Sequence, residues 1–249
     1  MVNAYRSLRF RNAFLPEVAI NAAEDIAVVV WYRDNSTDII VQAPIWKDSS
    51  WSTPENLSDA GQDDERPQVA LNLAGDLAAV LWTRSDGAND RTQASIWNGT
   101  SWSASEKISE AGLNAERPQA ALNSSGDVAL AVWQSLHGAD YSIKASTWKD
   151  SSWSVTANTI SAVGNLAARP QVSLNSAGDV GIAVWNRRDN SGYFIVQASN
   201  WNGTTWSSPD DISYEKKHPK TYQLVFKRFP TRKVAKLVIP EIKVPHKRS

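Results

Sequence analysis

Apolar and polar positions alternate along this chain in a pattern that is written four times. Each copy has two alternating runs around a short polar turn: PEVAINAAEDIAVVVWYR from Pro16, RPQVALNLAGDLAAVLWTR from Arg66, RPQAALNSSGDVALAVWQS from Arg117 and RPQVSLNSAGDVGIAVWNR from Arg169. Alternation with period two around a Gly-Asp or Glu-Asp turn predicts two antiparallel strands joined by a tight connection. A polar loop follows, as in Ser85 to Asp90, then a third alternating run (VQAPIW, TQASIW, IKASTW, VQASNW), a turn and a fourth strand. No stretch of the repeat has helical periodicity.

The twelve tryptophans fall on the same register, three per copy, and the first of each set is separated from the next by 51, 51 and 52 residues. A period of that length with four strands per unit is the composition of a β-propeller blade. The expected fold is therefore all-β, a propeller-like array of four four-stranded antiparallel blades spanning 16–65, 66–116, 117–168 and 169–213. The array either closes or forms an incomplete ring, since residues 1–15 read as part of an interblade linker and the pattern stops after Ile212-Ser213. An open array would expose apolar blade faces and self-associate.

Charge divides the chain sharply. Residues 214–249 hold eleven Lys or Arg against two acidic residues, a net of +9, which leaves −9 on residues 1–213 because the whole is neutral. The basic tail reads either as a genuine non-repeat extension or as a shifted reading frame where a fifth unit would begin. The acidic array argues against a nucleic-acid surface, which needs cations against phosphate. No apolar run is long enough for a membrane span, and the start lacks a compact secretory stretch, so a soluble product of open localisation is expected. With no cysteine, disulfides and thiolate metal sites are excluded.

Between third and fourth strands the second and fourth copies read Ser95-Ile96-Trp97-Asn98-Gly99-Thr100-Ser101-Trp102 and Ser199-Asn200-Trp201-Asn202-Gly203-Thr204-Thr205-Trp206. This resembles the Asp-box of sialidase-like propeller repeats, Ser-x-Asp-x-Gly-x-Thr-Trp, with Trp97 and Trp201 where the family has aspartate. Asp48 and Asp150 replace the glycine in the other two copies. The Trp-x-Gly-x-x-Trp-Ser string is similar, more weakly, to repeats of tryptophan-rich propeller lectins. The first resemblance implies a peripheral structural hairpin; the second implies sugars lodged between blades on aromatic rings.

Candidate chemistry is sparse. A sialidase needs an arginine trio, a Tyr-Glu nucleophile pair and an acid-base aspartate, and no such set is recognisable, so no catalytic residue is assigned. Arg66, Arg117 and Arg169 recur at one blade position, where they form linker salt bridges with acids such as Glu65 or Glu116, or else converge on an anionic ligand. Trp46, Trp97, Trp148 and Trp201 precede a turn, where an indole is either packed or half exposed as a sugar platform. His137 stands alone in a loop, and Asp86-Gly87-Ala88-Asn89-Asp90 is turn chemistry rather than a calcium loop. No metal or cofactor is expected. The function expected is a non-enzymatic binding module for carbohydrate or protein; the alternatives are a sialidase-like glycosidase fragment and a non-functional remnant of a longer repeat protein.

Overall fold

The computed structural model describes residues 12–213 apart from 35, 163 and 165. These belong to the first of two compact units, Met1–Tyr214; the second, Glu215–Ser249, and with it the choice between extension and shifted frame, lies outside the described residues.

All regular elements among the described residues are β-strands. They form four antiparallel sheets in chain order, the propeller-like array expected from the repeat. Blade 1 comprises Ala13–Ile20, Ile26–Asp34, a third strand Ile39–Ala43 continued by Ile45–Lys47, and outer pieces Ser50–Trp51 and Glu55–Asn56. Blade 2 comprises Asp64–Leu71, Ala78–Ser85, Asp90–Trp97 and Glu106–Lys107. Blade 3 comprises Asn114–Leu122, Val128–His137, Asp140–Lys149 and the outer pieces Ser152–Trp153 and Asn158–Thr159. Blade 4 comprises Ala167–Leu174, Gly181–Arg188, Phe194–Trp201 and Asp210–Asp211. No helix among the described residues is long and apolar enough to cross a membrane.

Stacking explains the tryptophan period. Trp82 packs with Val28, Val30, Val41 and Leu57 of blade 1, Trp133 with Leu81 and Ile108 of blade 2, and Trp185 with Val132, Ile143 and Ile160 of blade 3. The second-strand indole of blades 2, 3 and 4 therefore fills the space against the blade before it. A buried aromatic of this size removes roughly 150–250 Å² from water, so the indoles dominate each interface. Central strands covered on both faces read as nearly continuous apolar runs; all of Val128 to Trp133 is buried.

A second link joins neighbouring blades at the turn between first and second strands. Asn72 Oδ1 accepts hydrogen bonds from Gly75 N at 2.9 Å and Leu77 N at 3.1 Å, and Asn72 Nδ2 donates to Asp76 Oδ1 at 2.7 Å. Asn21, Asn123 and Asn175 repeat the arrangement, each accepting from the backbone of its own turn. Successive turns are then tied together by Ala22 N to Leu73 O, Leu73 N to Ser124 O and Ser124 N to Ser176 O, at 3.1–3.3 Å. The turn glycine is required by both conformation and space: Gly126 has φ +83°, and a Cβ there would lie 2.9 Å from Asn72 Nδ2 and from Leu77 Cβ.

Candidate ligand cleft on the inner strands

Each inner strand carries the same irregularity. Pairing with the second strand skips between Phe14 and Glu17, Glu65 and Gln68, Glu116 and Gln119, and Ala168 and Gln171. The skipped residues are Leu15-Pro16, Arg66-Pro67, Arg117-Pro118 and Arg169-Pro170, and the residue before each proline is left-handed, with φ of +46°, +53°, +53° and +56°. Proline has no N–H for the ladder, and a left-handed non-glycine residue costs about 1–2 kcal/mol. A strained bulge kept in all four blades re-aims a side chain out of the sheet.

Three of these bulges meet. Leu15 and Glu17 of blade 1, Arg66 and Gln68 of blade 2, and Arg117 and Gln119 of blade 3 line one cleft of about 200 Å³. Arg169 does not line it. Arg66 Nη1 lies 3.7 Å from Glu116 Oε2 of the next blade, and not from its chain neighbour Glu65 in an ion pair. The next pair in this series would need a carboxylate at position 168, where the chain has Ala168. Among the described residues no ion pair involves Arg117 or Arg169. The cleft therefore offers Arg117, two glutamine side chains and the Arg66 and Glu17 charges.

A second cavity, of about 270 Å³, lies where the turns of all four blades converge, between Asn21, Asn72, Asn123 and Asn175. The amides of these residues are committed to turn backbones and turn aspartates, so its polar lining is the interblade link itself.

The third-strand tryptophans take a different place from an open platform. Trp97, Trp148 and Trp201 are buried and Trp46 is half-buried. Trp97 lies against Trp102 with ring centroids 5.6 Å apart, Trp201 against Trp206 at 5.7 Å, and Trp201 Nε1 donates to Gly178 O at 3.2 Å. In the turn that follows, Asn98 Oδ1 accepts from Thr100 N at 3.0 Å and Ser101 N at 2.9 Å, and Asn202 does the same for Thr204 and Thr205. The polar group that holds this turn therefore sits one residue after the position where the Asp-box has its aspartate.

The polar loop of blade 2 is turn chemistry as expected: Asp86 Oδ1 accepts from Ala88 N and Asn89 N, and these bonds hold its pKa below the ordinary carboxylate value. His137 is exposed at a strand end.

One buried group escaped the repeat-based reading. Asp64, where the other blades have Ala13, Ala115 and Ala167, is fully buried between blades 1 and 2. Its Oδ2 accepts from Arg84 Nη1 at 2.7 Å, and Arg84 also donates to Asp59 O at 2.7 Å. Desolvation pushes the carboxyl up to about 6, against the lowering effect of Ser58 and Arg84. Removal from water outweighs the ion pair, as is common for buried pairs. The signal in the sequence was the break in the repeat at position 64.

No protein-family model and no curated protein sequence matches the chain. Among solved structures it is similar to a glycosyl hydrolase from Bacteroides ovatus at 11% identity and TM-score 0.46, covering 82% of this chain and 71% of that one. A putative glycoside hydrolase from the same organism gives 13%, TM-score 0.48, 82% and 73%. The catalytic domain of the Coprinopsis cinerea α-L-arabinofuranosidase gives 12%, TM-score 0.46, 82% and 69%. At these identities and TM-scores nothing about activity, substrate or partners follows for this chain.

Proposed function

We propose that this chain is a propeller-like binding module that holds a polyhydroxylated, carboxylate-bearing ligand, an acidic carbohydrate, in the cleft of the inner strands. The observation that carries this reading is the convergence of Arg117 and Gln119, at the strained bulge of blade 3, with Gln68 at that of blade 2. A guanidinium suits a carboxylate through two parallel hydrogen bonds. Gln68 Nε2 and Gln119 Nε2 each donate to the carbonyl of the preceding proline at 2.9 Å, which orients the amides and leaves their Oε1 atoms to accept from sugar hydroxyls. Arg66 is partly engaged with Glu116, so Arg117 is the principal anion contact and Gln68 and Gln119 set orientation.

A glycosidase is the second reading, favoured by Glu17, which stands in the cleft where blades 2 to 4 have glutamine. Hydrolysis of a glycosidic bond ordinarily uses two carboxyl groups flanking it, and among the described residues Glu17 is the sole carboxylate lining this cleft, so binding without turnover is the better reading. Binding to an array of neutral and acidic glycans, with glycosidase assays on the same ligands, tests both. Retention of acidic glycans and their loss in Arg117→Ala is expected; turnover abolished by Glu17→Gln would replace the module with an enzyme, and no binding to any acidic glycan would end the proposal.

A further inference from the structure

The two ends of the array expose faces that are buried everywhere else in it. Ile182 of blade 4 occupies the position of Val28, Ala79 and Leu130, all three fully buried, yet it is 47% exposed. Ile212 stands where Leu57, Ile108 and Ile160 are buried, and is 58% exposed. Val180, beside them, is exposed as well. At the other end, Val18 is 67% exposed although its counterparts Val69 and Val172 pack against the preceding blade. Trp51 is 54% exposed, while Trp102, Trp153 and Trp206 at the same position pack onto the blade before them. Both faces being open at once shows that they do not cover each other within one molecule.

We propose that these faces are the two halves of a head-to-tail interface, and that the occupant of each is a second copy of this chain. The argument is continuity with an interface the chain already makes three times. Between blades 1 and 2, 2 and 3, and 3 and 4, an aliphatic face equivalent to Ile182 and Ile212 receives indoles equivalent to Trp31 and Trp51. The blade 4 face of one copy is thus matched in chemistry by the blade 1 face of another: Val180, Ile182 and Ile212 against Val18, Trp31 and Trp51. Exposed contiguous apolar surface of this kind marks an association site. Unlike faces in contact form a heterologous interface, which adds copies in one direction instead of stopping at a two-fold pair.

The test uses the full chain and two doubly substituted variants, one blocked at each end: Val18→Glu with Trp51→Glu, and Ile182→Glu with Ile212→Glu. Sedimentation velocity over a broad concentration range at high salt should show the parent growing beyond a dimer, and each blocked variant remaining a monomer. An equimolar mixture of the two variants should give a dimer that grows no further, because each supplies the face the other lacks. A parent that stays monomeric, association that disappears at high salt, or a single-end variant that still self-associates like the parent would overturn the proposal. If a variant fails to fold, amide exchange of the parent at low and high concentration decides the matter. Protection gained together at Val18–Ile20 and at Val180–Ile182 supports the interface, and protection gained at neither or at only one overturns it.

Discussion

Trp185 Nε1 donates a 3.1 Å hydrogen bond to Gln197 Oε1, the residue facing it across the second and third strands of blade 4. Trp82 and Gln93 stand in the same register in blade 2, yet there the indole does not bond to Gln93, whose Oε1 is buried without a partner, and Trp82 instead acts on the Asp64 carboxyl, whose pKa it helps to lower. The two blades differ in the carboxyl beside the arginine that follows this tryptophan: Asp64 faces Arg84 in blade 2, whereas Ala167 faces Arg187 in blade 4.

The Asp64–Arg84 pair makes stability depend on pH in an unusual direction. The folded pKa of Asp64 lies at about 6, above its ordinary 3.8, so its contribution is complete below the ordinary value and is lost as pH rises through about 6. Lowering pH from about 7 to about 5 should raise the thermal midpoint of the parent relative to Asp64→Asn. Asp86 and Asp127 are shifted downward, and their contributions are lost only on acidification through their folded values, outside this window. Parallel midpoint curves for parent and variant between those two pH values would contradict the assignment.

Gly126→Ala tests the turn that links blades 2 and 3. The new methyl group meets Asn72 Nδ2 and Leu77 Cβ at 2.9 Å in a left-handed backbone, so the loss should exceed the roughly 1–2 kcal/mol that the conformation alone costs. Gly138→Ala, left-handed but with open space around the added atom, should show the conformational cost by itself. Chemical denaturation of the two variants provides the comparison, and equal losses would mean that the interblade contact yields freely.

Interblade packing predicts a graded response to tryptophan truncation. Trp133 is buried among Leu81, Ala129 and Ile108, and Trp133→Ala should cost about 3–5 kcal/mol. Trp51→Ala, at an exposed site in the first blade, should change stability by no more than about 0.5 kcal/mol at concentrations too low for association. Similar costs for both would show that the blade 1 face is covered.

In the cleft, Arg117→Lys should weaken binding of a carboxylate-bearing glycan by about tenfold or more, because an ammonium lacks the paired donors of the guanidinium. Arg169→Ala, a bulge residue outside the cleft, should leave affinity unchanged. Calorimetric titration of both variants with one ligand separates a specific anion contact from a general effect of positive charge, which would leave the charge-conserving Arg117→Lys unchanged and lower Arg169→Ala.

The architecture was legible because the features that set it, alternation and large indoles at a fixed period, are copied in every blade. Trp82, Trp133 and Trp185 announce the interfaces they fill. The cleft was harder to see, since it depends on the left-handed conformation of Arg66 and Arg117, which no local composition prescribes. Its asymmetry comes from single departures, Glu17 for glutamine and Ala168 for glutamate, that acquire meaning only once neighbouring bulges are known to meet. Sequence spacing suggested Glu65 as well as Glu116 for the arginines; the pairing that forms reaches into the next blade. The turn asparagines give no signal of their own for a similar reason, because the bonds that Asn21 and Asn72 donate to Ala74 O and Ser125 O of the following turn require the stacked blades to exist first.

The nearest-neighbour character of the stack has a consequence for how the molecule comes apart. Blades 2 and 3 are covered on both sides, whereas blades 1 and 4 each rest on one neighbour, so local opening should begin at the ends and advance inward instead of spreading from the middle. Amides of Val128–Gln134 should then exchange by the rarest, most global openings, and those of Ile26–Trp31 and Gly181–Val184 by cheaper ones. Four sheets of nearly equal sequence would in this way acquire unequal lifetimes, set by position in the row and not by composition.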